Sequence, residues 1–354
     1  MRSLDFRWKV VRGGADYGFL HSATGSAPSM WMRDDAEIKT SFSGLFAPIA
    51  TDVDGRAVPV NWQSDELAPQ LVIDGVEHPL GIYMPATVTP SKKDGVETVR
   101  VEAYDRCWRV RDNYAESMPY FAAGTPYITA IETLLTGSGI GTVYAVPNAA
   151  ALAEDREWEI GTSYLSIVNE LLSEINYKPL WFNAQGAAVL EPAAVPLAQN
   201  IQHTLDADKV ESLVLPTISR ETDVYAAPNV FVVVCANPEK SENNMIAKAE
   251  NTNPQSPLSI SRRGRRVVKV VQVRNIADQD ELQAYADRLR NESMITGETI
   301  RVSTALLPGF GVADVVALHY GELAAICIER AWTMELRVGG TMTHELEKVV
   351  YNLG

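Results

Sequence analysis

Along the first 110 residues apolar and polar positions alternate with a period of two. Leu4, Phe6, Trp8 and Val10 alternate with Asp5, Arg7 and Lys9, which predicts a strand with one dry face, because successive side chains of a strand point to opposite sides. Ile38, Thr40 and Phe42 repeat the pattern, as do Val99, Val101 and Ala103 around Arg100 and Glu102. Asp74-Gly75 separates Gln70–Ile73 from Val76–Leu80, and Asp94-Gly95 precedes a further strand. Asp-Gly supplies the positive φ angles of a two-residue hairpin turn, so two hairpins are expected. Asp54-Gly55 completes an even spacing without similarity between the intervening stretches, so no repeat is inferred. Pro85 and Pro90 suit an edge strand or loop, since proline donates nothing to a ladder.

Past residue 111 the period changes. Ile128, Ile131, Leu134 and Leu135 follow Thr125-Pro126 at helical spacing, with Thr125 as the expected cap, proline in the first turn and Gly137 as the stop. Leu165, Val168, Leu171, Leu172 and Ile175 form one stripe of a second helix, from about Ser163 to Tyr177. Lys178 to Glu191 reads as strand, turn and strand about Asn183–Gly186.

Beyond residue 206 strands return at Asn229–Val234, Val267–Val273, Ile300–Leu306, Val312–Leu318 and Leu323–Ile328. One helix is expected near 279–292, opened by a capping box of Asp278 and Glu281. A polar, proline-bearing stretch near 237–261 predicts a long exposed loop. The pattern gives an α+β, mainly β chain of three parts: an antiparallel β domain at 1–111, an α+β domain at 112–206 and a second β-rich domain at 207–354.

A chain of 354 residues with 46% hydrophobic and 21% charged positions has enough apolar content for more than one core. The charged opening residues argue against a secretory signal, and no apolar run reaches the ~20 residues of a membrane-spanning helix. A soluble protein made in a cytoplasm is expected. Cys107, Cys235 and Cys327 are an odd number at wide spacing, which predicts buried thiols rather than a disulfide framework. The net charge of −14 disfavours nonspecific binding to nucleic acid or anionic membrane.

Each candidate for chemistry fails on spacing or context. The histidines, at 21, 78, 203, 319 and 344, have no second ligand at a zinc spacing. Thr343-His344-Glu345-Leu346 lacks the second histidine of a zincin helix. Gly137–Gly141 follows a helix instead of opening one, so it reads as a helix stop and not a phosphate loop. Asp52-Val53-Asp54-Gly55 lacks the further oxygen ligands of a calcium loop and reads as a β-turn. No catalytic, cofactor-binding or metal-binding residue is assigned, and no cofactor is expected. Arg262, Arg263, Arg265 and Arg266 form one concentrated basic feature leading into a strand. A paired strand end, an intersubunit contact and a nucleic-acid contact are all open to it, although no aromatics are interleaved for base stacking.

Several stretches in one order resemble the tail-hub and minor tail proteins of long-tailed phages of Gram-positive hosts and related prophages. They are Arg33–Gly44, Gly75–Tyr83, Val101–Arg106, Trp158–Ser163, Tyr177–Trp181, Pro228–Val234, Arg263–Val267, Ala284–Leu289 and Leu307-Pro308 before Val312–Val316. Ala313 stands where such proteins often carry glycine. The resemblance implies a baseplate-hub-like fold, with two tube-like antiparallel β-barrel domains enclosing the α+β region. It implies a structural virion protein without enzymatic activity, assembled as a homotrimer at the tail tip. Such a ring joins the tail tube or distal tail protein to the central tip, fibre or tape-measure protein, and lets DNA pass. An acidic lumen would suit that conduit, and the four arginines would then face a neighbouring subunit. The alternatives are a tail-associated cell-wall hydrolase and a carbohydrate-binding distal tail protein in which Trp31, Trp62 or Trp181 stacks a sugar.

Overall fold

The computed structural model describes residues 3–193, 197–221, 227–235, 245–254, 256, 258–273, 279–295 and 298–348. They fall into two compact units, one from residues 1–195, 304–313 and 330–343, the other from 196–303, 314–329 and 344–354.

In the first unit β1 (Leu4–Arg12) pairs with β2 (Ala15–Leu20) on one side. β3 (Ser29–Arg33) pairs with β4 (Thr40–Phe46), and the short β5 (Ala50–Thr51) and β6 (Ala57–Val58) extend the sheet beyond β2. β7 (Glu66–Ile73) pairs with β1 and carries β8 (Val76–Pro79). β9 (Tyr83–Lys93) and β10 (Val96–Asp105) form the long hairpin. Asp74 and Asp94 adopt φ of 49° and 52°, each before a glycine that is also positive, as a type I′ turn requires. Pro85 and Pro90 both lie inside β9, which pairs along its length with β10 but meets β7 only at Tyr83. Their missing N–H groups therefore cost the ladder little.

The strand order is residues 331–335, β3, β4, β10, β9, β7, β1, β2, β5, β6. Bonds from Ala23 N to Leu45 O and from Ala47 N to His21 O, each 2.8 Å, stitch the segment after β2 to the end of β4. The sheet thus rolls around one core holding Trp8, Phe42, Phe46, Leu71, Tyr83 and Met334. Among the described residues β6 bonds β5 alone. The tube expected here is therefore a rolled, open sheet and not a closed barrel.

A second core in this unit lies under α1 (Cys107–Asp112), α2 (Tyr127–Gly137) and α3 (Tyr164–Glu174). Between the helices, β11 (Tyr120–Phe121) pairs with β13 (Arg156–Glu157). A small sheet has the order β12 (Val143–Ala145), β15 (Ala188–Leu190), β14 (Trp181–Phe182). Both expected helices form, with different ends. Pro126 and not Thr125 takes the cap position of α2, without a side-chain bond, and the left-handed residue that ends it is Gly139 at φ 74°. The Ser163 hydroxyl donates to Arg111 O at 2.7 Å instead of capping α3. Helix α1 was not apparent in the sequence pattern, because it is short and carries only Cys107 and Val110 inward.

In the second unit β16 (His203–Asp206) runs parallel to β22 (Val315–Tyr320). β22 pairs with the first half of β23 (Leu323–Glu335), whose last residues belong to the first unit. β24 (Thr341–Lys348), β21 (Thr299–Ala305) and β17 (Val214–Glu221) follow in that order. This row is also open among the described residues, so the second expected tube is not closed either.

A separate sheet has the order β19 (Met245–Glu250), β18 (Val230–Cys235), β20 (Val268–Val273). Helix α5 (Gln279–Ile295) packs on one face through Leu282 and Ala286, against Val233, Cys235, Ala247 and Ala249. Strand β19 falls inside the stretch expected to be loop. Met245, Ala247 and Ala249 alternate with Ile246, Lys248 and Glu250, a period-two signal hidden by polar neighbours. Residues 237–244 of that stretch lie outside the described residues, as does Asp278 of the capping box. Cys107, Cys235 and Cys327 are free and buried.

Candidate contact surface and cavity

The four arginines are placed by one helical turn and one buried amide. Helix α4 (Ile260–Arg263) begins at Ser259, whose hydroxyl accepts from Arg262 N at 3.3 Å, and ends at Gly264 with φ 65°. A left-handed residue at that position favours glycine strongly. Asn229, with no exposed surface, donates to Leu258 O at 3.2 Å and to Arg265 O at 2.9 Å while accepting from Val267 N at 2.7 Å. One side chain thereby ties the arginine segment to the start of β18.

The charges are divided. Arg263 bonds Ala227 O, and Arg266 forms a two-point pair with Glu250 at 2.7 and 3.2 Å. Arg266, then Lys248, hold the Glu250 carboxyl down to about 2. Arg262 and Arg265 are exposed, Arg262 steadied by Pro254 O at 3.0 Å.

Beside them lies the face of the three-stranded sheet that α5 does not cover. The register sets Val232 beside Val270 and Lys248, and Val234 beside Ile246. Val268, Val270 and Ile246 are 53%, 61% and 57% exposed. These three branched aliphatic side chains lie exposed on one face of the sheet.

The first unit holds a cavity of about 260 Å³ lined by Leu80, Tyr83, Trp181, Phe310 and Trp332, with Thr40, Asp105, Asn183 and Gln185 among its polar members. The indole N–H groups of Trp181 and Trp332 are buried without an acceptor among the described residues. Buried donors usually find a protein or water partner. Asp105 is already engaged, accepting from Thr40 N, the Thr40 hydroxyl and Cys107 N at 2.7–2.9 Å. Its burial pushes the carboxyl upward in spite of those bonds. Of the three tryptophans considered for sugar stacking, Trp181 lines this cavity, Trp62 packs on the β core, and Trp31 is half-buried in β3.

His344 does not line that cavity. It is wholly buried in β24 with Nδ1 2.7 Å from Glu329 Oε2, and Glu329 Oε1 has no bond among the described residues. His203 and Asp314 form a second pair at 3.0 Å. Asp52 closes its own turn by accepting from Asp54 N and Arg56 N at 2.9 and 2.8 Å. Among the described residues no three His, Cys, Asp or Glu side chains group as metal ligands, and no helix is long and apolar enough to cross a membrane.

No family model matches the sequence, and no curated relative does. Solved structures do match. A tail protein from Neisseria meningitidis MC58 superposes with a TM-score of 0.69 at 14% identity, over 97% of this chain and 96% of that one. The 43 kDa tail protein of prophage MuSo2 from Shewanella oneidensis gives 0.68 at 11% identity, over 97% and 98%. The E. coli c3393 protein, a type VI secretion component described as similar to the T4 tail proteins gp27 and gp5, gives 0.51 at 9% identity over 98% and 77%. The chain has the fold of phage and prophage tail proteins.

Proposed function

We propose that this chain is a structural subunit of a phage-type tail, a tip or baseplate hub without enzymatic activity. The observation that supports the reading is a match over 97% of this chain with two tail proteins, covering 96% and 98% of their lengths. In this reading copies of the chain form a ring, a homotrimer, that joins the tail tube or distal tail protein to the central tip, fibre or tape-measure protein. In it the rolled sheet of the first unit and the strand row of the second act as tube-like domains, with the α+β part lying between limits at residues 111 and 206. The −14 charge suits a passage through which DNA slides without adhering. Copy number in reconstructed tails is the test. Three copies at the tip are expected, whereas six in a ring above it would make the chain a distal tail protein.

The aromatic cavity supports a second reading, carbohydrate binding, because indole faces and unpaired donors suit a sugar ring. Glycan-dependent quenching of indole fluorescence, lost in Trp181→Phe, is the expected result on that reading. The hydrolase alternative has less support: Asp105 is the one carboxylate lining the cavity among the described residues, and its oxygens already hold Thr40 and Cys107.

A further inference from the structure

We infer that copies of this chain meet head to tail, the uncovered face of the β19-β18-β20 sheet in one copy seating on the ribbon built around β11 and β13 in the next. The inference rests on the ring proposed above and names the surfaces that close it.

The ribbon is continuous. Beyond the β11–β13 pairs, Trp158 N donates to Pro119 O at 3.2 Å, Gly161 N to Ala115 O at 2.8 Å and Ala115 N to Thr162 O at 2.9 Å. Its inner face packs through Ala115, Phe121 and Trp158. Its outer face carries Tyr114, Met118, Tyr120 and Ile160, each more than half exposed. Glu116, Glu157 and Glu159 lie exposed among them, and none has an ion pair among the described residues. Between Asn113 and Ser163 the chain has six acids and one basic residue, Arg156, and Arg156 is taken by Glu170 and Glu174.

The sheet face is the opposite in charge and similar in kind. Its exposed Val268, Val270 and Ile246 are bordered by Arg262, Arg265, Arg266 and Lys248, with Glu250 as the acid paired to Lys248 and Arg266 among the described residues. No acid occurs between Asn251 and Val273. On a chain with a large negative excess, a basic, apolar surface and an acidic, apolar surface are each unsuited to their own kind and suited to each other. Two different patches that fit generate a heterologous contact, which closes into a ring when the rotation allows. Opposite charge at the rim sets register and partner choice, and the exposed apolar residues supply the buried centre.

Charge exchange tests it, read as solution mass by light scattering at moderate salt. The wild-type chain is expected at the mass of the ring. Arg262→Glu with Arg265→Glu is expected to run as monomer, and so is Glu157→Arg with Glu159→Arg. All four changes in one chain restore the ring, which shows that the separate variants had not failed to fold. Raising salt should shift the wild type toward monomer, since rim charges are screened within about 10 Å at 0.1 M. A wild-type ring that survives both reversals overturns this contact and leaves the ring reading standing. A wild type that is monomeric at every concentration overturns both.

Discussion

At the level of single residues, the buried acid Glu329 ties the fold's stability to pH. Burial pushes Glu329 upward, and the neighbouring His344 only partly opposes that, with Asp314 adding to the rise and His203 opposing it. A carboxyl raised on folding binds its proton more tightly in the native state than in the unfolded one. Its contribution is complete below the unfolded value of about 4.3 and is lost as pH rises through the folded value. Glu329→Gln keeps the shape and removes the titration. Thermal melts should therefore fall in the wild type as pH rises above about 4.3 and change much less in the variant; equal slopes would show that Glu329 stays ionised throughout. Removing the group altogether, as Ala, should cost about 2 kcal/mol, because the buried bond between His344 and Glu329 is lost in a closed site. None of this was legible in the sequence: Glu329 and His344 are 15 positions apart and meet only through strand register. Ala313 is a smaller case. Where the resemblance led one to expect glycine, alanine holds φ of 53°, so the turn is kept by its surroundings against a local preference of about 1 kcal/mol.

At the level of elements, legibility followed periodicity. β1, the two Asp-Gly hairpins, α2 and α3 each carry several turns or pairs of regular apolar spacing, and all are present. Elements that bury few residues were not legible, namely α1, α4 and the ribbon of β11 and β13, and β19 was missed as well because its period-two signal lies among polar neighbours. The basic cluster was visible as composition, but its presentation depends on Asn229, more than 30 positions upstream of Arg265 and Arg266. That dependence is open to measurement. Asn229→Ala removes an acceptor and two donated bonds from a closed site, a loss of about 2–3 kcal/mol. Trypsin should then cut at Arg262–Arg266 much faster than elsewhere in a chain that still melts cooperatively. An unchanged cleavage pattern would mean that Ser259 and Gly264 alone hold the turn.

At the level of the whole molecule, the mainly β character of the chain was readable, while closure of the sheets was not. Whether a strand row joins its own far end depends on twist and on a few edge bonds such as Ala23 to Leu45, and no spacing rule encodes those. The candidate surfaces were half legible for a related reason. Four arginines announce themselves, but the open valine face beside them looks in sequence like any buried strand, VKVVQV. The ribbon's acids look like a solvated loop.

One pairing bears on how the chain is made. Strand β3 is flanked by β4 on one side and by residues 331–335 on the other, with Ser29 opposite Glu335. Roughly 300 residues must be translated between the two, which at about 5–20 residues per second leaves the outer edge of β3 unpartnered for tens of seconds on the ribosome. Met30 and Met32, both buried in the finished core, wait beside that edge. Completion of the first unit is thus a late event in synthesis, and an incomplete chain presents the kind of bare strand that recruits holding chaperones or wrong partners.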